Sequence, residues 1–85
     1  MAFEIAWKPK AVEDLQSLDK EMQRRIVEKL EIISPSPQRF LDWIKKYGVH
    51  KLRVGDYRIF LDLSQKEQIM EVLAIRHRSK AYKLL

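Results

Sequence analysis

The 85-residue sequence contains no cysteine, no asparagine and no threonine, and only two glycines. Without cysteine there is neither a disulfide staple nor a thiolate metal site. Nothing calls for an oxidising compartment, so a cytoplasmic location is expected. Gly48 and Gly55 alone cannot build a glycine-rich phosphate loop. The longest aliphatic run, Val72-Leu73-Ala74-Ile75, falls far short of the roughly 20 residues that span a bilayer. Nor does Met1 to Lys8 hold an apolar run of signal-peptide length. The two histidines, His50 and His77, stand apart without clustered carboxylates, so neither metal nor cofactor is expected. Ser17, Ser34, Ser36, Ser64 and Ser79 have no recognisable triad context.

What is present is a single small domain, 1–85, with 46% hydrophobic and 34% charged residues. Seventeen Lys and Arg against twelve Asp and Glu give a net charge of +5. The distribution says more than the sum. Residues 1–44 carry seven bases and eight acids, whereas residues 45–85 carry ten bases and four acids. Arg76-His77-Arg78-Ser79-Lys80-Ala81-Tyr82-Lys83 holds no acid at all. A pI near 9.6 with clustered bases is the usual footprint of nucleic-acid binding. A solvated face, or a patch for an acidic protein, is the plainer alternative.

Hydrophobic periodicity divides the chain. Phe3, Ile5 and Trp7 alternate with polar or small residues, which predicts a half-buried strand. Pro9 suits a first helical turn, and Ala11, Val12, Leu15 and Leu18 follow at helical spacing. Asp19 is a good N-cap for a second helix, whose stripe is Met22, Ile26, Leu30 and Ile33. Ser34-Pro35-Ser36-Pro37 ends it. Phe40, Trp43, Ile44 and Tyr47 then recur at i, i+3, i+4 and i+7, which predicts a short third helical segment with a buried aromatic stripe. Val49–Val54, Tyr57–Leu63 and Ile69–Arg76 read as strands, and Ser79–Leu85 as a last helical turn. The expected fold is α+β: an N-terminal strand, a helical hairpin, then a three-stranded antiparallel meander in one twisted sheet with the helices on one face.

If Gly55-Asp56 is a two-residue hairpin loop, Val54 faces Tyr57, Arg53 faces Arg58, Leu52 faces Ile59 and Lys51 faces Phe60. Cross-strand partners share a face. Leu52, Val54, Tyr57, Ile59 and Leu61 then pack on the helices, joined by Leu73 and Ile75. Lys51, Arg53, Arg58, Phe60, Ala74 and Arg76 take the open face. Two arginines directly opposed cost stability unless an anion lies between them, and Arg binds phosphate oxygens bidentately. On this reading, removing Arg58 or Arg76 should leave stability unchanged or slightly higher. Arg25, on the helical hairpin and away from the groove, would serve as a neutral control.

Leu52-Arg53-Val54-Gly55-Asp56-Tyr57-Arg58-Ile59, followed by Ile75-Arg76-His77-Arg78 and then Tyr82, resembles the RelE/ParE superfamily of toxins from toxin–antitoxin pairs. The resemblance covers nearly the whole chain and implies the RelE-like version of this fold. It also implies a toxin neutralised by a cognate antitoxin protein in a hetero-oligomer. For the RelE branch the target is mRNA on the ribosome. For the ParE branch it is DNA gyrase, inhibited without catalysis. A third alternative is a nucleic-acid-binding remnant that only holds its antitoxin or an operator.

Carried over residue by residue, the resemblance implies catalytic roles for Lys51, Arg58, Arg76 and Tyr82. One departure is plain: where the enzymes often have a second Lys, this chain has Val49. His77 or His50 could supply the missing proton-transfer group, since a His titrates near neutrality. The implied activity is a metal-independent endoribonuclease. The substrate's 2′-hydroxyl attacks the adjacent phosphorus, leaving a 2′,3′-cyclic phosphate and a 5′-hydroxyl. Arg58 and Arg53 would stabilise the phosphorane oxygens, Lys51 or a His would assist deprotonation, and Arg76 or His77 would protonate the leaving oxygen. Tyr82 would stack on a base or orient the phosphate. Arg53, Arg78, Lys80 and Lys83 are the expected RNA- and phosphate-binding residues.

Overall fold

The computed structural model describes residues 2–81. The alternation at the start yields strand β1 (Glu4–Trp7). Helix α1 (Pro9–Gln16) begins at the proline. Helix α2 (Lys20–Ile33) follows, its first turn capped by Asp19, whose side chain accepts from the Met22 amide at 2.8 Å. Ile26, Leu30 and Ile33 on α2 are fully buried. Burial of each such side chain stabilises the fold by about 1.5–3 kcal/mol, which is why this stripe sets the face that α2 turns to the sheet.

Among the described residues the sheet has five strands, in the order β1, β5 (Ile69–His77), β4 (Tyr57–Ser64), β3 (Val49–Val54), β2 (Asp42–Ile44). Strands β3 (Val49–Val54), β4 (Tyr57–Ser64) and β5 (Ile69–His77) make the expected antiparallel meander. β1 pairs in parallel with β5, from Glu4 opposite Ile69 to Trp7 opposite Val72. The helices cover one face, where Phe3, Leu52, Val54, Ile59, Leu61, Met70, Val72 and Ile75 close over Ile26, Leu30 and Ile33.

The third helical segment does not form. Pro37–Arg39 makes a single 3-10 turn, and Asp42–Ile44 is strand β2, paired antiparallel with β3 through Ile44 opposite Val49 and Asp42 opposite Lys51. The free edge of β3 offers this segment backbone partners that an isolated helical turn would lack. Gly48, at φ +64°, closes the reversal. The aromatic stripe is therefore not buried: Phe40 and Trp43 remain 48% and 58% exposed.

A second departure lies in β5. Phe60 stands opposite Ala74, but Leu61 stands opposite Val72, so Leu73 is an extra, bulged residue. The bulge resets the alternation, turning both Val72 and Ile75 to the helices and Leu73 to the far face. Leu73, placed by alternation on the helix side, belongs instead to a small second core. There it joins Val49, Phe60 and Ala81, with Ile44 and Tyr47 beside them. The face opposite the helices is thus covered at its middle and opens toward the β3–β4 turn. After β5, Arg78–Lys80 forms one 3-10 turn.

Candidate nucleic-acid interface

The turn that organises the site is tight. Gly55 takes φ +58° whereas Asp56 does not take positive φ, the pattern of a type II′ hairpin. That loop fixes the register as the sequence implied: Val54 opposite Tyr57, Arg53 opposite Arg58, Leu52 opposite Ile59 and Lys51 opposite Phe60. Arg58 leans back over the turn, its Nη1 donating to the carbonyls of Gly55 (3.2 Å) and Tyr57 (3.1 Å). Among the described residues neither Arg53 nor Arg58 has a carboxylate within ion-pair distance, so the opposed pair is uncompensated.

β2 pairs with β3 only as far as Lys51, which leaves the edge of β3 beyond it without a strand. A groove of about 370 Å³ opens there. Lys29 from α2, Lys51, Arg53 and Arg58 line it against one carboxylate, Asp42, with Phe40 forming part of its wall. The Lys29 ammonium sits 5.5 Å from the centre of the Phe40 ring. An adjoining hollow is lined by Arg25, Lys29, Arg53 and Gly55, with Glu28 among them. Arg25 is therefore a neighbour of the cationic patch and not a remote control position.

Arg76 is placed differently. It is the register partner of Arg58 on β5, yet its guanidinium is held at the sheet's other edge by α1. Nη1 donates to Asp14 Oδ2 at 2.6 Å and to the Ile75 carbonyl at 2.9 Å. The same Oδ2 accepts from the Ile75 amide at 3.0 Å, an edge donor that β1, ending at Trp7, does not reach. Both side chains of the ion pair are only 13% exposed. Arg76 Nε is buried without a hydrogen-bond partner among the described residues. The expectation that Arg76 could be removed at no cost to stability is therefore corrected: its loss would leave Asp14 with only the exposed Lys10, at 3.5 Å, as an ionic partner and α1 less firmly joined to β5.

Arg76 lines a second groove, of about 520 Å³, together with Lys10, Tyr57, His77 and Lys80. His77 faces Tyr57 edge-on at 5.5 Å. Its Nδ1 accepts from the Ser79 amide at 3.2 Å, which commits the Nδ1 lone pair and leaves the ring proton of neutral His77 on Nε2. His77 so held is a hydrogen-bond donor at Nε2 rather than a proton acceptor there. His50 is turned away from Lys51 and Arg58, with its ring 4.9 Å from that of Trp43. Arg78 reaches back to the hairpin turn: its amide donates to the Asp56 carbonyl at 2.8 Å and its Nε lies 3.8 Å from Asp56 Oδ1. Tyr82 and Lys83 lie outside the described residues.

The structure thus brings Lys51, Arg53 and Arg58 together and sets Arg76, His77 and Lys80 in a separate groove beyond them. Three contributors escape sequence reasoning. Lys29 and Asp14 look like ordinary solvent-facing helix residues, and Phe40 looks like core. Among the described residues no three of His, Asp and Glu converge as metal ligands, and no helix is long and apolar enough to cross a membrane.

Comparison with known proteins places the fold. Residues 5–82 match the profile of the ParE toxin of type II toxin–antitoxin systems, parDE. The fold superimposes on the toxin–antitoxin complex RelBE2 from Mycobacterium tuberculosis with a TM-score of 0.84 at 21% identity, covering 92% of this chain and 100% of that one. The archaeal RelE–RelB complex from Pyrococcus horikoshii gives 0.79 at 25% identity, over 94% and 99% of the two chains. The isolated E. coli RelE toxin gives 0.75 at 17% identity, over 96% and 93%. No curated protein sequence matches significantly.

Proposed function

The chain belongs to the ParE toxin family of type II toxin–antitoxin systems, within the RelE/ParE superfamily, and from that premise we propose that it is a RelE-like, ribosome-dependent mRNA endonuclease held in check by a cognate antitoxin. The observation that carries this reading is the uncompensated Arg53–Arg58 rung, set in a groove with Lys51 and Lys29. Opposed guanidiniums on one face suit a bridging phosphate.

Cleavage proceeds by attack of the substrate's 2′-oxygen on the adjacent phosphorus, with the P–O5′ bond breaking to leave a 2′,3′-cyclic phosphate. Arg58 and Arg53 donate to the non-bridging oxygens as charge develops, each well-placed donor being worth roughly 2.7–4 kcal/mol. Lys51, half-buried beside them, assists removal of the 2′ proton. From the second groove, Arg76 and the His77 Nε2–H hydrogen-bond to the departing O5′, which takes its proton from water while the 2′ proton is released to solvent. Arg78, Lys80 and Lys83 supply further positive charge along the strand, and Tyr82 is proposed to stack on a base or orient the phosphate. The antitoxin partner is proposed from the RelB-bound relatives, with a segment carrying acidic or apolar groups laid over the arginine face.

The test is a translation assay with purified ribosomes, the message ends being mapped by primer extension. Discrete new ends are expected with the normal message. None are expected where the critical 2′-hydroxyl is replaced by hydrogen. Cleavage of the deoxy message would refute the mechanism. In cells, the chain alone should arrest growth and co-expression of its antitoxin should relieve the arrest. A second reading, a ParE-like gyrase inhibitor without chemistry, is favoured by the description of the matching family and by the tethering of Arg76 to Asp14. Loss of DNA supercoiling activity in a gyrase assay, with messages left intact, would establish it.

A further inference from the structure

We propose that Phe40, backed by Lys29, is a stacking platform for one unpaired base of the bound RNA strand, at the wall of the Arg53–Arg58 groove. The inference rests on the RNA reading above and adds to it a base-binding subsite. Phe40 is 48% exposed although its side chain is wholly apolar. Its surroundings are ionic: Lys29 at 5.5 Å from the ring centre, then Lys51, Arg53 and Arg58, with Asp42 the one carboxylate among the described residues that line the groove.

The chemistry of that wall selects its occupant. An apolar side chain from a protein partner would cover the ring, but it would also strip water from the cations and return no counter-charge. A nucleotide meets both requirements at once, laying its base on the ring and its phosphate against the guanidiniums. A volume of about 370 Å³ is close to the lower end of ligand-pocket sizes, which suits one nucleotide unit and not a duplex. Phe40 lies on the connection between the 3-10 turn and β2, anchored on both sides, so the ring is presented by a braced backbone.

The experiment compares the parent chain with Phe40→Ala, Phe40→Leu and Phe40→Trp. Binding of a short single-stranded RNA carrying 2-aminopurine is followed by fluorescence, message cleavage on ribosomes by primer extension, and antitoxin affinity in parallel. Stacking predicts that Phe40→Ala and Phe40→Leu weaken RNA binding about 10-fold and abolish the quenching of 2-aminopurine. Phe40→Trp should retain both, and in Phe40→Ala and Phe40→Leu antitoxin affinity should fall less than RNA binding does. Parent-like RNA binding by Phe40→Leu would overturn the proposal, because an apolar plug would then suffice. So would a loss confined to antitoxin affinity, which would make Phe40 a protein-docking residue. If the parent itself neither binds nor cleaves RNA, the endonuclease reading falls and this inference falls with it. A parent that cleaves while its Phe40 variants behave alike removes the inference alone.

Discussion

Arg58 and Arg76 face each other across a single rung of the β4–β5 ladder, and their surroundings could hardly differ more. Among the described residues Arg58 has carbonyl partners, no carboxylate, and a like charge across the next strand at Arg53. Arg76 is drawn around the edge of the sheet to Asp14 and is largely buried with it. A third arginine supplies the scale. Arg24 meets Glu21 at the same 2.6 Å, but those two side chains are 61% and 66% exposed. The hydrogen bond to Glu21, then the charges of Glu21 and Glu28, raise the Arg24 guanidinium above its ordinary value. In full solvent that attraction is screened and contributes little to folding. Equal distances thus carry unequal consequences, because desolvation sets what the loss of a partner costs.

The sharpest way to break the comparison is to remove Arg76. Arg76→Ala should lower unfolding stability by about 2 kcal/mol in urea denaturation, since it removes the shielded partner of Asp14 and leaves only the exposed Lys10 ammonium, 3.5 Å away. Asp14→Ala should cost a similar amount, as it also strips the Ile75 edge amide of its acceptor. The double variant should cost clearly less than the sum of the two. A loss for Arg76→Ala no greater than that of a surface residue would erase the distinction between the two arginines.

Arg58→Ala should show the opposite profile. Stability should change by less than about 0.5 kcal/mol, while ribosome-dependent cleavage by the folded protein falls about 10²-fold, equivalent to roughly 2.7 kcal/mol. If Arg58→Ala instead melts well below the parent and its folded fraction keeps full activity, the cationic groove is not the catalytic one. The turn that aligns the two sides offers a smaller effect. Gly55→Ala should cost about 1 kcal/mol by thermal unfolding, because an L side chain is strained at φ +58°. Its Cβ would also lie 3.3 Å from Met22 Cε, so Met22 must yield slightly. The smallest effect closes the series: Arg24→Ala should leave the melting temperature where it is, despite removing a contact as short as that of Arg76.

Much of this arrangement is legible in the residues, for local reasons. The β3–β4 register follows from a two-residue loop containing Gly55, and the alternation around it places Lys51, Arg53 and Arg58 on one face. Asp19 marks the start of α2 because an N-cap acts within one turn. Three things are not legible. Phe40 to Tyr47 has helical spacing, but the open edge of β3 recruits Asp42–Ile44 as a strand instead. Leu73 is one apolar residue among four, and no pattern of side chains says which of them is bulged out. Phe40 reads as core because aromatic periodicity cannot report that four cations will gather beside it.

The family resemblance, the α+β order of elements and the set of cations on the meander are properties of the chain itself. They depend on period, turn chemistry and residue type, which act over a few neighbours. Which of those cations is free and which is tied could be decided only in three dimensions. An arginine carries its charge wherever it stands, but its partner is set by packing. Asp14 meets Arg76 across 62 positions of sequence because α1 runs along the β5 edge that β1 leaves uncovered. Arg58, one strand away on the same rung, meets no such helix and no carboxylate among the described residues.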